Sequence, residues 1–232
     1  MRATAIVVAA GSGVRFGAAN KAFWPLAGRP LITYSLDAFQ RSDSIEQIVV
    51  VAGEHTLAEA RSLASSQQWS KLNHVVAGGT LRQDSVRCGL AIVGEQCQFV
   101  AIHDAARPLI QVADIDRCVA AAAESGAAIL AVPVTDTIKR AANGRIMATV
   151  PRDGLWMAQT PQVFAATKFR EAFQAVNHAA LSVTDEAGLF EALGMEVAIV
   201  EGSSTNIKIT VAADLETVEA LIAHRPVVRS PA

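Results

Sequence analysis

The sequence predicts an α/β fold built on a doubly wound, Rossmann-like and mostly parallel sheet. Continuous apolar runs rich in β-branched residues recur along the chain, as in strands that are buried on both faces of a parallel sheet. Segments with helical periodicity separate these runs, and this alternation is typical of doubly wound sheets. The predicted strands are Ala5–Ala9, Ile48–Ala52, Val100–His103, Ile129–Val132 and Val197–Val200. The predicted helices are Leu31–Gln40, Leu57–Ser65, Asp84–Ile92, Ile115–Ala123, Lys168–Val176, Glu186–Leu193 and Leu215–Ala223.

One segment, about 134–155, interrupts this alternation because it has no helical periodicity. It places Asn143-Gly144 between two short runs, Thr137–Arg140 and Arg145–Val150. Asn-Gly favours a tight hairpin turn, since both central residues of that turn need positive φ. The segment therefore predicts a protruding β-hairpin arm.

Length and composition predict one globular domain over residues 1–225, with 226–232 as a flexible tail. Hydrophobic residues make up 51% of the 232 residues and charged residues 18%, which favours a packed core over disorder. The net charge is −2, and lysines and arginines form no block. A nucleic-acid-binding surface is therefore not expected.

The cysteines and the apolar segments bear on the compartment. Cys88, Cys97 and Cys118 have no metal-ligand spacing, which favours a reduced, cytoplasmic protein. The apolar start of the chain is interrupted by Gly11 and Gly13 and is typical of a buried first strand, not of a signal peptide. No apolar run approaches membrane-spanning length, so no membrane partner is expected.

A glycine-rich loop, residues 9–17, follows the first predicted strand. Gly11 and Gly13 carry no side chains, so consecutive backbone N–H groups can form a nest for an anion, and Arg15 and Lys21 add positive charge. The loop alone equally allows an ordinary strand-to-helix turn. A Walker loop is excluded because no Gly-Lys-Ser/Thr closes the motif, and the dinucleotide-binding spacing is missed by one residue.

A second polar segment, Gly78 to Val86, leads from paired glycines into a predicted helix. Bare backbone with Arg82, Gln83 and Ser85 can contact a base edge and ribose hydroxyls. The alternative is an ordinary helix start capped by Asp84, which leaves the paired glycines unexplained.

A third polar segment, His103-Asp104-Ala105-Ala106-Arg107-Pro108, ends a predicted strand. In open α/β sheets, ligands bind outside the carboxyl ends of the strands. Asp104 there suits Mg²⁺, which prefers one or two carboxylates plus substrate phosphates. The alternative is a local salt bridge between Asp104 and Arg107. His103 is interpreted as a hydrogen-bonded structural residue.

Other polar clusters are less specific. Thr160-Pro161-Gln162 and Thr184-Asp185-Glu186 individually indicate turns or helix caps. Lys208 lies in the alternating run Ile207-Lys208-Ile209, where a strand would direct it away from its neighbours, into solvent or into a substrate pocket.

Taken in order, these segments resemble the 2-C-methyl-D-erythritol 4-phosphate cytidylyltransferase family from Ala3 to about Leu221. Each motif is weak alone, and the resemblance depends on eight of them in order at compatible spacing. The motifs are Ala9-Ala10-Gly11-x-Gly13-x-Arg15, Gly78-Gly79-x-x-Arg82-x-Asp84-Ser85-Val86, His103 to Pro108, Asp136-Thr137-x-Lys139, Arg152-x-Gly154-Leu155-Trp156, Thr160-Pro161-Gln162, Thr184-Asp185-Glu186-Ala187 and Asn206-Ile207-Lys208.

The resemblance implies a nucleotidyltransferase-type fold. It also implies a reaction in which CTP and 2-C-methyl-D-erythritol 4-phosphate give 4-diphosphocytidyl-2-C-methyl-D-erythritol and pyrophosphate. It implies that the first loop binds the triphosphate, that the second segment contacts cytosine and ribose, and that Asp104 ligates Mg²⁺. The implied nucleotide-binding residues are Ala9, Ala10, Gly11, Gly13, Gly78, Gly79, Asp84 and Ser85. The implied catalytic residues are Arg15, Lys21, Arg152 and Lys208. The implied substrate residues are Asp104, Arg107, Thr137, Arg152, Thr184 and Lys208.

The resemblance further implies a homodimer in which the hairpin arm is exchanged, so that Thr137 and Arg152 serve the partner's site. One departure follows the first loop. The family usually continues with Lys-Gln there, whereas in this sequence Lys21 is followed by Ala22-Phe23.

Two rival functions stay open at this point. One is a cytidylyltransferase for another polyol phosphate such as ribitol 5-phosphate, and the other is a non-catalytic nucleotide-binding module.

Overall fold

The computed structural model describes residues 1–11, 21–66, 68–179 and 184–224, with only the backbone described for 176–179. The strands are β1 Ala3–Ala9, β2 Pro25–Leu26, β3 Arg29–Pro30, β4 Ile45–Ala52, β5 Leu72–Ala77, β6 Phe99–Asp104, β7 Ala127–Pro133, β8 Ile138–Ala142, β9 Arg145–Val150, β10 Trp156–Ala165 and β11 Ala198–Glu201. The helices are α1 Ile32–Arg41, α2 Leu57–Ser65, α3 Arg82–Leu90, α4 Val112–Ser125, α5 Ala166–Ala179, α6 Ala187–Ala192 and α7 Ala212–Ala223.

Seven strands form one sheet in the order β11-β7-β10-β6-β1-β4-β5. Strand β10 runs antiparallel to its neighbours β6 and β7, whereas the other pairs in this sheet are parallel. The predicted α/β fold with a mostly parallel sheet is therefore confirmed.

Strand β1 shows why the central strands are apolar throughout. Ala5 and Val7 pack into one hydrophobic cluster with α1 and α4, and Ile6 packs into a second cluster with α3 and α5. A strand covered on both faces has no solvent side, so its sequence does not alternate. The helices on the two faces leave the carboxyl ends of β1 and β6 open at one edge.

Strand β10 is the main difference from the sequence-based prediction. The interpretation of Thr160-Pro161-Gln162 as a turn or cap is wrong, because these residues lie within β10. The pairing of β10 with β7 shifts register between Ala158 and Gln162, so proline occurs where the ladder is irregular. Strand β5, which also went unpredicted, lies at one edge of the sheet.

The hairpin arm is confirmed. Strands β8 and β9 pair only with each other among the described residues, and Asn143 and Gly144 have φ of 49° and 72°. The predicted tail, 226–232, lies outside the described residues. Across the described part of the chain, every helix is too short or too polar to cross a membrane.

Candidate active site

A cavity of about 360 Å³ lies at the carboxyl ends of β1 and β6, where ligands of open α/β sheets bind. Residues from five separate parts of the chain line it, so the sheet and its loops assemble it from distant sequence segments. Its lining is Val8, Ala9, Ala10, Gly11, Lys21, Ala22, Gly79, Thr80, Leu81, Arg82, Ser85, Asp104, Ala105, Ala106, Lys208 and Thr210.

Asp104, the last residue of β6, lines the cavity and has two cationic partners. Its Oδ1 lies 2.9 Å from Arg82 Nε, and its Oδ2 lies 2.6 Å from Lys208 Nζ. The hydroxyl of Thr160 on β10 accepts the Asp104 backbone N–H at 3.1 Å. Burial alone would raise the pKa of Asp104, but Arg82 and Lys208 hold that pKa well below its usual range. Asp104 is therefore an ionised carboxylate at neutral pH.

The expected alternative, a local salt bridge between Asp104 and Arg107, is wrong. The Arg107 guanidinium donates instead to the backbone carbonyls of Asn206, at 2.7 Å, and Ala158, at 3.2 Å. These bonds tie the segment after β11 to strand β10. Arg107 lies outside the described cavity lining, so the geometry gives it an anchoring role there.

Lys208 is carried by residues 206–210, which form no strand. The Asn206 side chain is buried and donates to Gln159 Oε1 and to the Thr160 carbonyl. Ile209 is buried beside α7, and its N–H donates to the Ala106 carbonyl at 2.9 Å. With Asn206 and Ile209 fixed on either side, Lys208 faces the cavity and reaches Asp104.

Lys21 also lines the cavity and begins a short 3-10 turn, Lys21–Phe23. Its Nζ donates to the Ile209 carbonyl at 2.6 Å, which places it beside the segment that carries Lys208. Ala9, Ala10 and Gly11 line the same cavity. The other predicted loop residues, Gly13 and Arg15, lie outside the described residues.

The paired glycines are explained by close packing. A Cβ on Gly78 would lie 2.5 Å from the Ala10 Cβ, and one on Gly79 would overlap the Asp84 side chain. The Ser85 hydroxyl accepts the Gly79 N–H at 3.2 Å, and both residues line the cavity. The second loop therefore fits closely against the first.

Asp84 stabilises the N-terminus of α3. Helix α3 begins at Arg82, not at Asp84 as predicted, and the Asp84 carboxylate accepts the Leu81 N–H at 3.3 Å. It also pairs with Arg87 at 2.6 Å. Asp84 and Gly78 lie outside the lining of the cavity as described, although both adjoin residues that belong to it.

Sequence reasoning missed the pairing of Arg82 with Glu186. Arg82 Nη1 lies 2.5 Å and 2.7 Å from the two oxygens of Glu186, which precedes α6. Burial raises the pKa of Glu186, against the opposing charge of Arg82. Both residues occur in quoted motifs, but 104 positions separate them, and no local pattern joins them.

The interpretation of His103 as a structural residue is confirmed. Its ring is fully buried, with Thr160 Oγ1 3.0 Å from Nδ1 and the Arg107 carbonyl 3.2 Å from Nε2. Burial lowers the pKa of His103 to about 4. A neutral imidazole enclosed in this way supports the turn that follows Asp104.

The sequence model of one protein family, 2-C-methyl-D-erythritol 4-phosphate cytidylyltransferase, matches residues 3–224. The chain belongs to this family. The enzyme of that name from Halalkalibacterium halodurans is 40% identical over 97% of this chain and 99% of its own length. The enzyme of the same name from Dechloromonas aromatica is 46% identical over 91% and 93%.

Solved structures of cytidylyltransferases also resemble this chain. The 4-diphosphocytidyl-2C-methyl-D-erythritol synthase of Anaerococcus prevotii superposes with a TM-score of 0.84 at 27% identity, covering 96% of this chain and 99% of the other. The 2-C-methyl-D-erythritol 4-phosphate cytidylyltransferase of Thermus thermophilus gives 0.79 at 32% identity, covering 96% and 100%. The cytidylyltransferase fold therefore extends over nearly the whole chain.

Three residues expected on the acceptor side of this cytidylyltransferase lie outside the described lining of the cavity. Thr137 precedes β8 and is exposed, and Arg152 follows β9 and donates to the Thr135 carbonyl. Thr184 is exposed just before Glu186. Of the residues expected on the acceptor side, the described lining of the single-chain cavity thus includes Lys208 and Asp104 but none of these three.

The donors of the cavity suit a metal that is held largely by substrate. No group of three His, Cys, Asp or Glu side chains forms a metal site within the described ranges. Mg²⁺ needs less, because it commonly takes one or two carboxylates and completes its shell with phosphates and water. Asp104, ionised at the cavity wall, fits that requirement.

Proposed function

We propose that this chain transfers the cytidylyl group of CTP to 2-C-methyl-D-erythritol 4-phosphate. The products are 4-diphosphocytidyl-2-C-methyl-D-erythritol and pyrophosphate. The observation that carries the proposal is the cavity in which Lys21, Arg82, Asp104 and Lys208 meet beside bare backbone at Gly11. Family membership supplies the chemistry for which this arrangement is suited.

The reaction needs positioning and charge neutralisation more than covalent help. The acceptor phosphate attacks the α-phosphorus of CTP in line, the bond to the β-phosphate oxygen breaks, and pyrophosphate leaves. Such transfers gain most of their rate from orientation and electrostatic stabilisation. Lys21, Arg15 and Lys208 are the proposed positive groups around the transferred phosphate.

The nucleotide is assigned to the two glycine loops. Backbone N–H groups of the first loop, from Ala9 to Gly13, would bind the triphosphate oxygens. Cytosine and ribose would contact the second loop through Gly78, Gly79, Asp84 and Ser85. Mg²⁺, when bound, would neutralise charge on the triphosphate, and Asp104 is the residue that would hold it.

The acceptor is assigned to Lys208 and to residues of the hairpin arm. Thr137 and Arg152 on the arm would contact the methylerythritol phosphate that is bound at the site of a partner chain. Thr184 at that site would contact it as well, and Arg107 would support the site by anchoring the segment that carries Lys208. Exposed apolar side chains on and near the arm favour such a homodimer. They are Ile146, Met147, Leu155, Trp156 and Met157. The cytoplasm is the proposed compartment.

A pyrophosphate-release assay tests the function directly. The purified chain with Mg²⁺ is given CTP, ATP, GTP or UTP, each with 2-C-methyl-D-erythritol 4-phosphate or ribitol 5-phosphate. We expect release only with CTP and the methylerythritol phosphate. Release with ribitol 5-phosphate instead would support the rival cytidylyltransferase, and CTP binding without release would support a non-catalytic module.

A further inference from the structure

Arg82 joins two carboxylates that belong to different parts of the cavity wall. Its Nε bonds Oδ1 of Asp104 at the end of β6, and its Nη1 bonds both oxygens of Glu186 before α6. We infer that Arg82 and Glu186 are positioning residues, which fix the Asp104 carboxylate so that Oδ2 stays directed at Lys208. This inference rests on the proposed cytidylyl transfer.

Burial makes Arg82 indispensable to the charge balance of this cluster. The side chains of Glu186 and Asp104 are 3% and 9% exposed, and that of Arg82 is 29% exposed. Removing the partner of a buried carboxylate leaves an uncompensated charge, which strongly destabilises the folded protein. One guanidinium therefore serves two nearly buried carboxylates, and Lys208 brings the formal charge of the four groups to zero.

The shape of the guanidinium explains how Glu186 acts on Asp104. The nitrogens of arginine form a rigid planar fork, so fixing Nη1 also fixes the direction of Nε. Glu186 holds Nη1 with both oxygens, and Nε then occupies Oδ1 of Asp104. The remaining oxygen, Oδ2, lies 2.6 Å from Lys208 Nζ. A lysine, with a single ammonium, has no fork to transmit the position of Glu186.

The far end of the cluster is anchored on the sheet. Gln162 of β10 accepts the backbone N–H groups of Glu186 and Ala187 through Oε1, at 3.1 Å and 3.0 Å. Its Nε2 donates to Asp185 at 2.8 Å. Because β10 pairs with β6, Glu186 and Asp104 are held by neighbouring strands. Sites supported in this way keep the tight geometry that catalysis needs.

Arg82 and Lys208 therefore differ as partners of Asp104. Arg82 is held at both ends by nearly buried carboxylates, whereas the Lys208 side chain is 41% exposed. We expect Arg82 to keep Asp104 in place when Lys208 turns toward a substrate phosphate. Arg82 also begins α3, directly after the loop of Gly78 and Gly79 that is proposed to bind the nucleotide. Glu186 follows Thr184, which is proposed to contact the acceptor. The pair thereby connects the two proposed halves of the site.

Three variants separate positioning from a purely structural role: Arg82→Met, Glu186→Gln and the double variant. Arg82→Met leaves the nearly buried charge of Glu186 without its arginine and that of Asp104 with Lys208 alone, so its Tm falls furthest. The double variant removes one of those charges and regains part of the lost Tm. If the pair acts by positioning, turnover does not recover with Tm. We expect kcat of Arg82→Met and of the double variant to be alike, about 10–100-fold below the parent.

Glu186→Gln and two further variants, Arg82→Lys and Arg117→Met, sharpen the test. Glu186→Gln keeps the size of the side chain, and its kcat should fall about tenfold with little change in KM for either substrate. Arg82→Lys keeps the charge but loses the fork, so Tm should recover while kcat stays low. Arg117→Met is the matched control, since it removes the partner of the nearly buried Asp114 on α4, away from the cavity. It should lower Tm and leave kcat unchanged.

Three results with an active parent would overturn the inference alone. One is kcat that follows Tm through the series. Another is a double variant whose loss equals the product of the two single losses, because Glu186 would then act without Arg82. The last is a raised KM for CTP with unchanged kcat in Arg82→Met, which indicates direct contact with the nucleotide. An inactive parent chain would overturn the proposed function, and the inference with it.

Discussion

The cavity and the hairpin arm hold their polar residues in opposite ways. In the cavity, Asp104 is bonded to Arg82 and Lys208, and each partner is fixed by strands or buried segments of the same chain. On the arm, Thr137 and Arg152 are exposed and lie outside the described cavity lining. The sheet and its loops therefore organise the cavity by themselves, whereas Thr137 and Arg152 of the arm lie outside that cavity in their own chain.

The largest expected effect comes from breaking the cavity at Asp104. Asp104→Asn removes the proposed metal ligand and the charge that Lys208 and Arg82 share. Metal-assisted stabilisation contributes several kcal/mol to such transition states. We therefore expect kcat/KM to fall about 10³-fold in steady-state assays.

Asp114→Asn is the control for this substitution. Asp114 is a nearly buried carboxylate paired with an arginine, but it lies on α4 away from the cavity. Its replacement should leave kcat/KM near that of the parent. A tenfold or smaller loss in Asp104→Asn, about the level of a positioning residue, would remove Asp104 from the metal site.

Lys21→Ala should have the next largest effect. Lys21 lines the cavity and is a proposed donor to the transferred phosphate. Its replacement by alanine should therefore lower kcat about 10²–10³-fold. Lys71→Ala is a close control, because Lys71 Nζ also donates to a backbone carbonyl at 2.6 Å, that of Ser42, away from the cavity. Equal, small losses in both variants would mean that Lys21 only supports the Ile209 segment.

Mixing two inactive chains tests whether the arm serves a partner. If Arg152 acts in trans, a heterodimer of Lys21→Ala and Arg152→Ala chains has one intact site and one site with both defects. Random mixing of equal amounts should then restore about a quarter of the parent activity, since half of the dimers are heterodimers. Heterodimers that stay inactive would place Arg152 in its own chain's site.

The smallest effect is expected at the tip of the arm. Gly144→Ala puts a side chain at φ of 72°, which costs about 1 kcal/mol. Amide hydrogen exchange in β8 and β9 should accelerate about fivefold, while exchange in the central sheet stays unchanged. Gly94→Ala, in open space without a positive φ, is the control. Slower or unchanged exchange in the arm would contradict the assigned turn.

The sequence predicted the sheet well where burial leaves a local pattern. The run Ile48–Ala52 is continuously apolar because both of its faces are covered, and it lies within β4. Asn143-Gly144 predicted the hairpin because few residues tolerate that turn. Strand β10 was missed because Pro161 and its polar neighbours have the composition of a turn, and only the irregular pairing with β7 accommodates them.

The candidate site was predictable only residue by residue. Asp104 and Lys208 could each be singled out from position and motif, and the resemblance placed both in one site. Their contact depends on Arg107 and Asn206, which fix the segment after β11 through backbone bonds that no residue pattern indicates. The salt bridge between Asp104 and Arg107, which the sequence left open as an alternative, does not form, because Arg82 and Lys208 are the partners of Asp104 in space.

The most direct test of the central claim follows the α-phosphorus of CTP. The parent chain and Asp104→Asn are incubated with Mg²⁺, the methylerythritol phosphate and CTP that is radiolabelled at the α-phosphate. If the cavity performs cytidylyl transfer, the parent moves the label into the polyol product, and Asp104→Asn leaves it in CTP. Label released as free CMP, or equal transfer by the two chains, would contradict the account.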